Sequence, residues 1–144
     1  MTIPNRFWLF LALGFFVFFS GNATFGQSPN ATRTVRMKVT AYCLCAKCCG
    51  KYAEAFPRKT ATGDDATVCD GVAADPKLLP YRTRLRIPGV GVREVDDTGG
   101  GMRQSAKKGV THIDVRMATH DEARRFGVKV LNVEILDSSI KRKE

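Results

Sequence analysis

The chain has 144 residues, with 23 lysines and arginines against 14 aspartates and glutamates, a formal net charge of +9 and five cysteines. Once an apolar N-terminal stretch is set aside, that length accommodates one modest core and no second domain. The basic residues are dispersed and stacking aromatics are few, which sets nucleic acid aside as a partner and leaves anionic polymers such as cell wall.

Trp8 to Phe19 is an almost unbroken apolar run behind a single charge, Arg6, and ahead of small and polar residues from Ser20 to Ala23. This is the layout of an export signal, and it is shorter than the roughly 20 apolar residues of a membrane span. Residues 1–27 are therefore expected to be cleaved, with retention as an N-terminal anchor the alternative. The protein is then secreted, periplasmic or wall-associated, a monomer with no other membrane span. Polar residues 28–34 read as a linker, 35–137 as the folded domain and 138–144 as a basic tail.

Val35, Met37, Val39 and Ala41 alternate with polar neighbours, the period of a half-buried strand. Four cysteines follow within seven residues, Cys43, Cys45, Cys48 and Cys49, with Cys69 some twenty residues on. Export favours disulfides among them. The alternative is a structural metal site, for which Cys45-x-x-Cys48 has ligand spacing, although no histidine lies nearby in the chain. Redox catalysis ranks behind both. In each case the cluster is expected to staple the entry loop of the domain.

Further strands are expected at Thr83 to Ile87, with Arg82, Arg84 and Arg86 facing outward, at Gly91 to Asp96 after a Pro88-Gly89 turn, and at Ile113 to Met117. A last one runs from Val128 to Leu136, with a phase slip at Leu131 and Asn132 that suggests a bulge. Thr119 to Glu122 is a capping box that starts a short helix closed by Gly127. Short strands punctuated by glycine and proline, with one short helix, predict a mainly β protein, a small barrel and not an α/β sheet.

Three aspartates stand at strand ends or turns. Asp75 and Asp97 have an ordinary explanation in turn chemistry, their carboxylates capping nearby N–H groups. Asp114 is harder to dismiss. It shares a strand face with His112 and Arg116, opposite the core residues Ile113 and Val115, and aspartate is disfavoured in a strand. His112 itself reads as a solvent-facing histidine.

The ordered fragments Thr40-Ala-Tyr42-Cys43, Cys49-Gly50-Lys51, Thr60 to Gly63, Val72 to Pro76, Leu79 to Leu85, Asp97 to Gly100, Ile113-Asp114-Val115 and Glu122 to Gly127 resemble the three-aspartate or 3D domain. That domain is shared by the catalytic part of MltA-type lytic transglycosylases and related cell-wall proteins. The resemblance implies a six-stranded double-psi β-barrel with Asp75, Asp97 and Asp114 gathered in one glycan-binding groove. It also implies Asp114 as the acid-base, Thr40, Tyr42, Thr98, Gly99 and Gly100 as substrate contacts, peptidoglycan strands as the partner, and no cofactor. Asp96 has no counterpart and takes no role. Residues 99–111 are longer than the family's usual loop and alter the groove wall.

The expected reaction is cleavage of a glycan strand without water, leaving a 1,6-anhydromuramyl end. An aspartic acid kept neutral by its neighbouring carboxylates would then serve as both acid and base. The rivals are a glycoside hydrolase in the same groove, a non-catalytic wall-binding module of expansin type, and a structural protein with the aspartates as calcium ligands.

Overall fold

The computed structural model of the protein describes residues 32–136. The expected export signal, most of the linker and the basic tail lie outside the described residues. Six strands form: β1 Arg33–Tyr42, β2 Gly71–Ala73, β3 Arg84–Ile87, β4 Gly91–Asp97, β5 His112–Arg116 and β6 Lys129–Ile135. They close into a barrel in the order β1-β5-β2-β4-β3-β6. Closure removes both sheet edges, which a sheet this small would otherwise expose.

The pairing is mixed, with β1–β5 and β2–β4 parallel and the other four contacts antiparallel. Exchanging β1 with β4, β2 with β5 and β3 with β6 leaves this order unchanged and maps one parallel pair onto the other. The two halves of the chain therefore interlock around a pseudo-twofold axis. Two long crossovers occupy equivalent places in the two halves, residues 43–70 from β1 to β2 and residues 98–111 from β4 to β5, each joining strands that are not neighbours in the barrel. Both carry side chains of the cleft described below.

The barrel fills because β-branched and long apolar side chains alternate along its strands. Met37 and Val39 of β1, Leu85 and Ile87 of β3, Ile113 and Val115 of β5, and Val133 and Ile135 of β6 form one buried cluster with Val72, Ala74, Leu79 and Val95. The expected outward arginines Arg84 and Arg86 are exposed on β3. Arg82 precedes the strand with a positive φ and pairs with Asp64 and Glu94.

Two readings of the chain need correction. β6 has no bulge: its register with β1 runs unbroken from Arg33 opposite Ile135 to Val39 opposite Lys129. The apparent phase slip arises because Val128 and Val130 face solvent at 69% and 56% exposure, so two apolar residues lie on the polar face. The irregularity is instead in β2 against β4, between Val72 and Ala73.

The helical content also exceeds the one helix expected. That helix, α3 His120–Phe126, forms with both halves of its capping box, Thr119 accepting from the Glu122 N–H and Glu122 from the Thr119 N–H. Before it come α1 Ala46–Cys49, a 3-10 turn at Gly50–Glu54, and α2 Gly100–Lys107. The last occupies the stretch read as a long loop, where consecutive glycines hide a helix that one apolar residue, Met102, anchors. Among the described residues no helix is long and apolar enough to cross a membrane.

Candidate functional site

A cleft of about 590 Å³ opens where the two crossovers meet the barrel. Tyr42, Ala73, Asp97 and Asp114 form its floor from four strands. Leu44, Cys48, Cys49 and Tyr52 come from the first crossover, and Thr98 to Gly100, Met102 and Arg103 from the second. Arg58, Lys59 and Arg103 put cationic groups on its walls.

Asp114 reaches this cleft because β5 lies between β1 and β2, with Thr40 opposite it on one side and Ala73 on the other. The small Ala73 leaves the carboxyl room. The Thr40 hydroxyl donates to Asp114 Oδ1 at 2.7 Å, and Thr40 Oγ1 also lies 2.9 Å from His112 Nε2. His112 Nδ1 is in turn 2.9 Å from Ser105 Oγ on α2. Since Thr40 spends its proton on Asp114, Nε2 must donate to Thr40, and a neutral ring then accepts from Ser105 at Nδ1. Burial, the largest effect, and Lys38 both lower the His112 pKa, which keeps the ring in that neutral form.

Burial is also the largest influence on Asp114 and raises its carboxyl above the ordinary aspartate value. Thr40 and Lys38 pull the other way, and Asp97 adds to the rise. The like-charge contribution expected from three converging aspartates is thus the smaller part of the effect, and it comes from Asp97.

Asp97 has a different setting. Its Oδ2 accepts from the Tyr42 hydroxyl at 2.9 Å, and its Oδ1 accepts from the backbone N–H groups of Ala61 at 3.1 Å and Thr98 at 2.8 Å. Tyr42 accepts in turn from Arg116 Nη1 at 3.0 Å. Burial, and then the Asp97 charge, hold the Tyr42 phenol above its ordinary pKa, so it remains a donor.

Arg116 is fully buried and forms a two-pronged ion pair with Asp96, while its Nε donates to the Val68 carbonyl at 3.0 Å. Burial works against the guanidinium charge, but Asp96 and Tyr42 more than offset it. Burial raises the Asp96 carboxyl, with Arg116 opposing. Asp96 lies directly over Gly71, where a Cβ would occupy the space of the carboxylate. A residue with no expected role thus anchors the arginine that orders Tyr42 and Asp97.

Asp75 does not line the cleft. It is buried in the turn after β2, where its Oδ1 accepts from the Lys77 N–H and its carbonyl from the N–H groups of Leu78 and Leu79. This is the turn-capping role that the Asp75-Pro76 dipeptide suggests, and it takes the carboxylate out of the groove. Of the expected substrate contacts, Tyr42, Thr98, Gly99 and Gly100 line the cleft, whereas Thr40 acts behind Asp114. Thr98 Oγ1 is buried with no hydrogen-bond partner in the protein. His112 is not solvent-facing; it is 8% exposed and belongs to the Asp114 network.

The five cysteines are free thiols and form no disulfide. Cys43, Cys45 and Cys48 turn their sulfurs onto the ring of His120, so these side chains meet a histidine instead of pairing with one another. Cys49 donates to the Cys43 carbonyl, and Cys69 to that of Thr67. No protein-family model matches the chain, and no curated protein matches it.

Proposed function

We propose that the protein is an exported enzyme that cleaves peptidoglycan glycan strands as a lytic transglycosylase, with Asp114 as its single acid-base. The observation that carries this reading is the contrast between the two cleft carboxyl groups. Asp114 is biased toward its neutral form by burial, while Asp97 is engaged by three donors.

A neutral carboxyl group is a proton donor ready for a glycosidic oxygen. A carboxylate whose lone pairs are largely occupied is a poor base for activating water, which an inverting hydrolase requires. In the proposed reaction Asp114 protonates the glycosidic oxygen as the bond to C1 breaks. The C6 hydroxyl of the muramyl sugar then attacks C1 and gives its proton to the Asp114 carboxylate. The anhydro ring closes, Asp114 ends protonated as it began, and no water is consumed.

Asp97, held in place by Tyr42 and two N–H groups, faces the cleft where it can stabilise positive charge developing at the sugar. The flanking Arg58, Lys59 and Arg103 suit an anionic polymer. A second reading, a wall-binding module, draws support from Tyr52, a cleft residue 71% exposed and available as a stacking platform for a sugar ring.

The test is incubation of the purified protein with isolated peptidoglycan and mass spectrometry of the soluble products. Anhydromuramyl ends from wild type and none from Asp114→Asn are expected. Reducing ends dependent on Asp114 would replace the proposal with a hydrolase. Wall binding without any product would replace it with the binding module.

A further inference from the structure

The described residues hold one cluster of donor atoms that the proposed reaction does not use. Cys43 follows the last residue of β1, Cys45 and Cys48 bracket the start of α1, and His120 opens α3, more than seventy residues along the chain. Their ligand atoms lie within 4.8 Å of one another.

Hydrogen bonding does not account for this convergence. His120 Nδ1 lies 3.5 Å from the Cys45 sulfur, 3.5 Å from that of Cys48 and 4.0 Å from that of Cys43. An imidazole nitrogen carries one proton or one lone pair, so it satisfies one sulfur and not three. Disulfide bonding does not account for it either: Cys43 and Cys48 sulfurs are 3.8 Å apart, against about 2.05 Å for a bond.

A tetrahedral metal centre does account for it. With Zn–S near 2.3 Å and Zn–N near 2.05 Å, the tetrahedral angle puts sulfurs about 3.8 Å apart and sulfur and nitrogen about 3.5 Å apart. The Cys43–Cys48 separation and two of the three His120 separations match those edges. We infer that Cys43, Cys45, Cys48 and His120 form a structural zinc site that ties the end of β1 and the α1 turn to the start of α3.

The surrounding backbone is built for it. The Cys48 and Cys49 N–H groups donate to the Cys45 carbonyl at 3.0 and 2.9 Å, which winds the Cys45-x-x-Cys48 segment into a tight turn with both sulfurs on one side. His120 is fixed by the capping box one residue before it.

Three sulfurs and one imidazole select zinc among common divalent ions, and four protein ligands leave no open position for substrate or water. The site is therefore structural. It supports the cleft through Tyr42, the residue before the first ligand, and through Cys48, which lines the cleft itself. It does not rest on the proposed glycan chemistry.

The experiment is to purify the full chain under reducing conditions, measure bound zinc by elemental mass spectrometry, and replace it with Co²⁺ for visible absorption spectroscopy. One zinc per chain is expected, with intense cobalt bands of a tetrahedral, thiolate-rich site. Cys69→Ser, which alters a thiol outside the cluster, should retain both. His120→Asn and Cys45→Ser should each lose the tetrahedral cobalt spectrum.

The wild-type measurements need no variant to fold. A wild-type protein, folded by circular dichroism, that binds no zinc on loading and gives only weak octahedral cobalt bands would overturn the site. So would a folded wild type in which any two of Cys43, Cys45 and Cys48 form a disulfide under these conditions.

Discussion

Asp97 and Asp114 stand in the same cleft, one on each strand that faces it from the second half of the chain, and their surroundings differ in charge. Asp97 rests on a chain of donors that begins at a buried cation, Arg116, and passes through Tyr42. Asp114 rests on a chain of neutral groups, Thr40, His112 and Ser105, and burial is the largest influence on its carboxyl. The difference shows how one residue type meets two electrostatic settings within a single site. Asp97 is held by three donors, one of them backed by a cation, whereas burial behind a single hydroxyl raises the Asp114 carboxyl. Asp96 is what makes the first arrangement tolerable, because without it the buried Arg116 would keep only the exposed carboxylate of Asp70, 4.0 Å away.

The strongest way to break this contrast is to remove the cation. Arg116→Met leaves Asp96 buried without its partner and should cost about 3–5 kcal/mol of unfolding free energy in a urea titration. Adding Asp96→Asn to that variant should restore part of the loss. A cost below about 1 kcal/mol in the single variant would show that the pair does not order the Asp97 side.

Gly71→Ala pushes a methyl group into the Asp96 carboxylate and should cost about 1–3 kcal/mol by the same assay. An unchanged midpoint would mean that the ion pair shifts freely. Tyr42→Phe cuts the link between Arg116 and Asp97 while leaving the ring in place. About 1 kcal/mol of destabilisation is expected, together with reduced glycan cleavage, since Asp97 loses one of its three donors.

A gain in stability, and not a loss, sharpens the other half of the contrast. Asp114 has a folded pKa raised above its unfolded value of about 3.9, so its contribution to stability is fully present below that pH. The contribution is lost as the pH rises through the raised folded value. Asp114→Asn cannot ionise and keeps the Thr40 hydrogen bond, so it should be more stable than wild type at pH 7, with the difference closing in acid. Thermal melts across pH would show it. A variant less stable than wild type at pH 7 would mean that the Asp114 charge is stabilised by its neighbours and not penalised by burial.

The legible parts of the site are those set by neighbours in the chain. The alternation around Ile113 and Val115 marked Asp114 as a strand residue on the wrong face for a core, and it does reach the cleft. The turn chemistry of Asp75-Pro76 was equally plain, and there the local reading describes the structure while the grouping of three aspartates does not. The illegible parts are those set by partners far away. Both histidines looked ordinary because their partners lie up to 77 residues off: Thr40 for His112, and Cys43, Cys45 and Cys48 for His120. Asp96 was unreadable for the same reason, since Arg116 lies on another strand. The short strand β2, of three residues, and the helix α2 behind its glycines gave too little periodicity to recognise.

The sequence alone determined five of the six strands and the capped helix, because alternation, capping and turn chemistry act within a few residues. It also determined that a small chain of short strands had to close on itself. The tertiary structure decided which acidic groups share a cleft, which of them burial pushes toward its neutral form, and that cysteines after β1 meet a histidine after β5 at one end of the barrel. Those outcomes depend on burial and on contacts between distant segments, and neither exists until the barrel has closed.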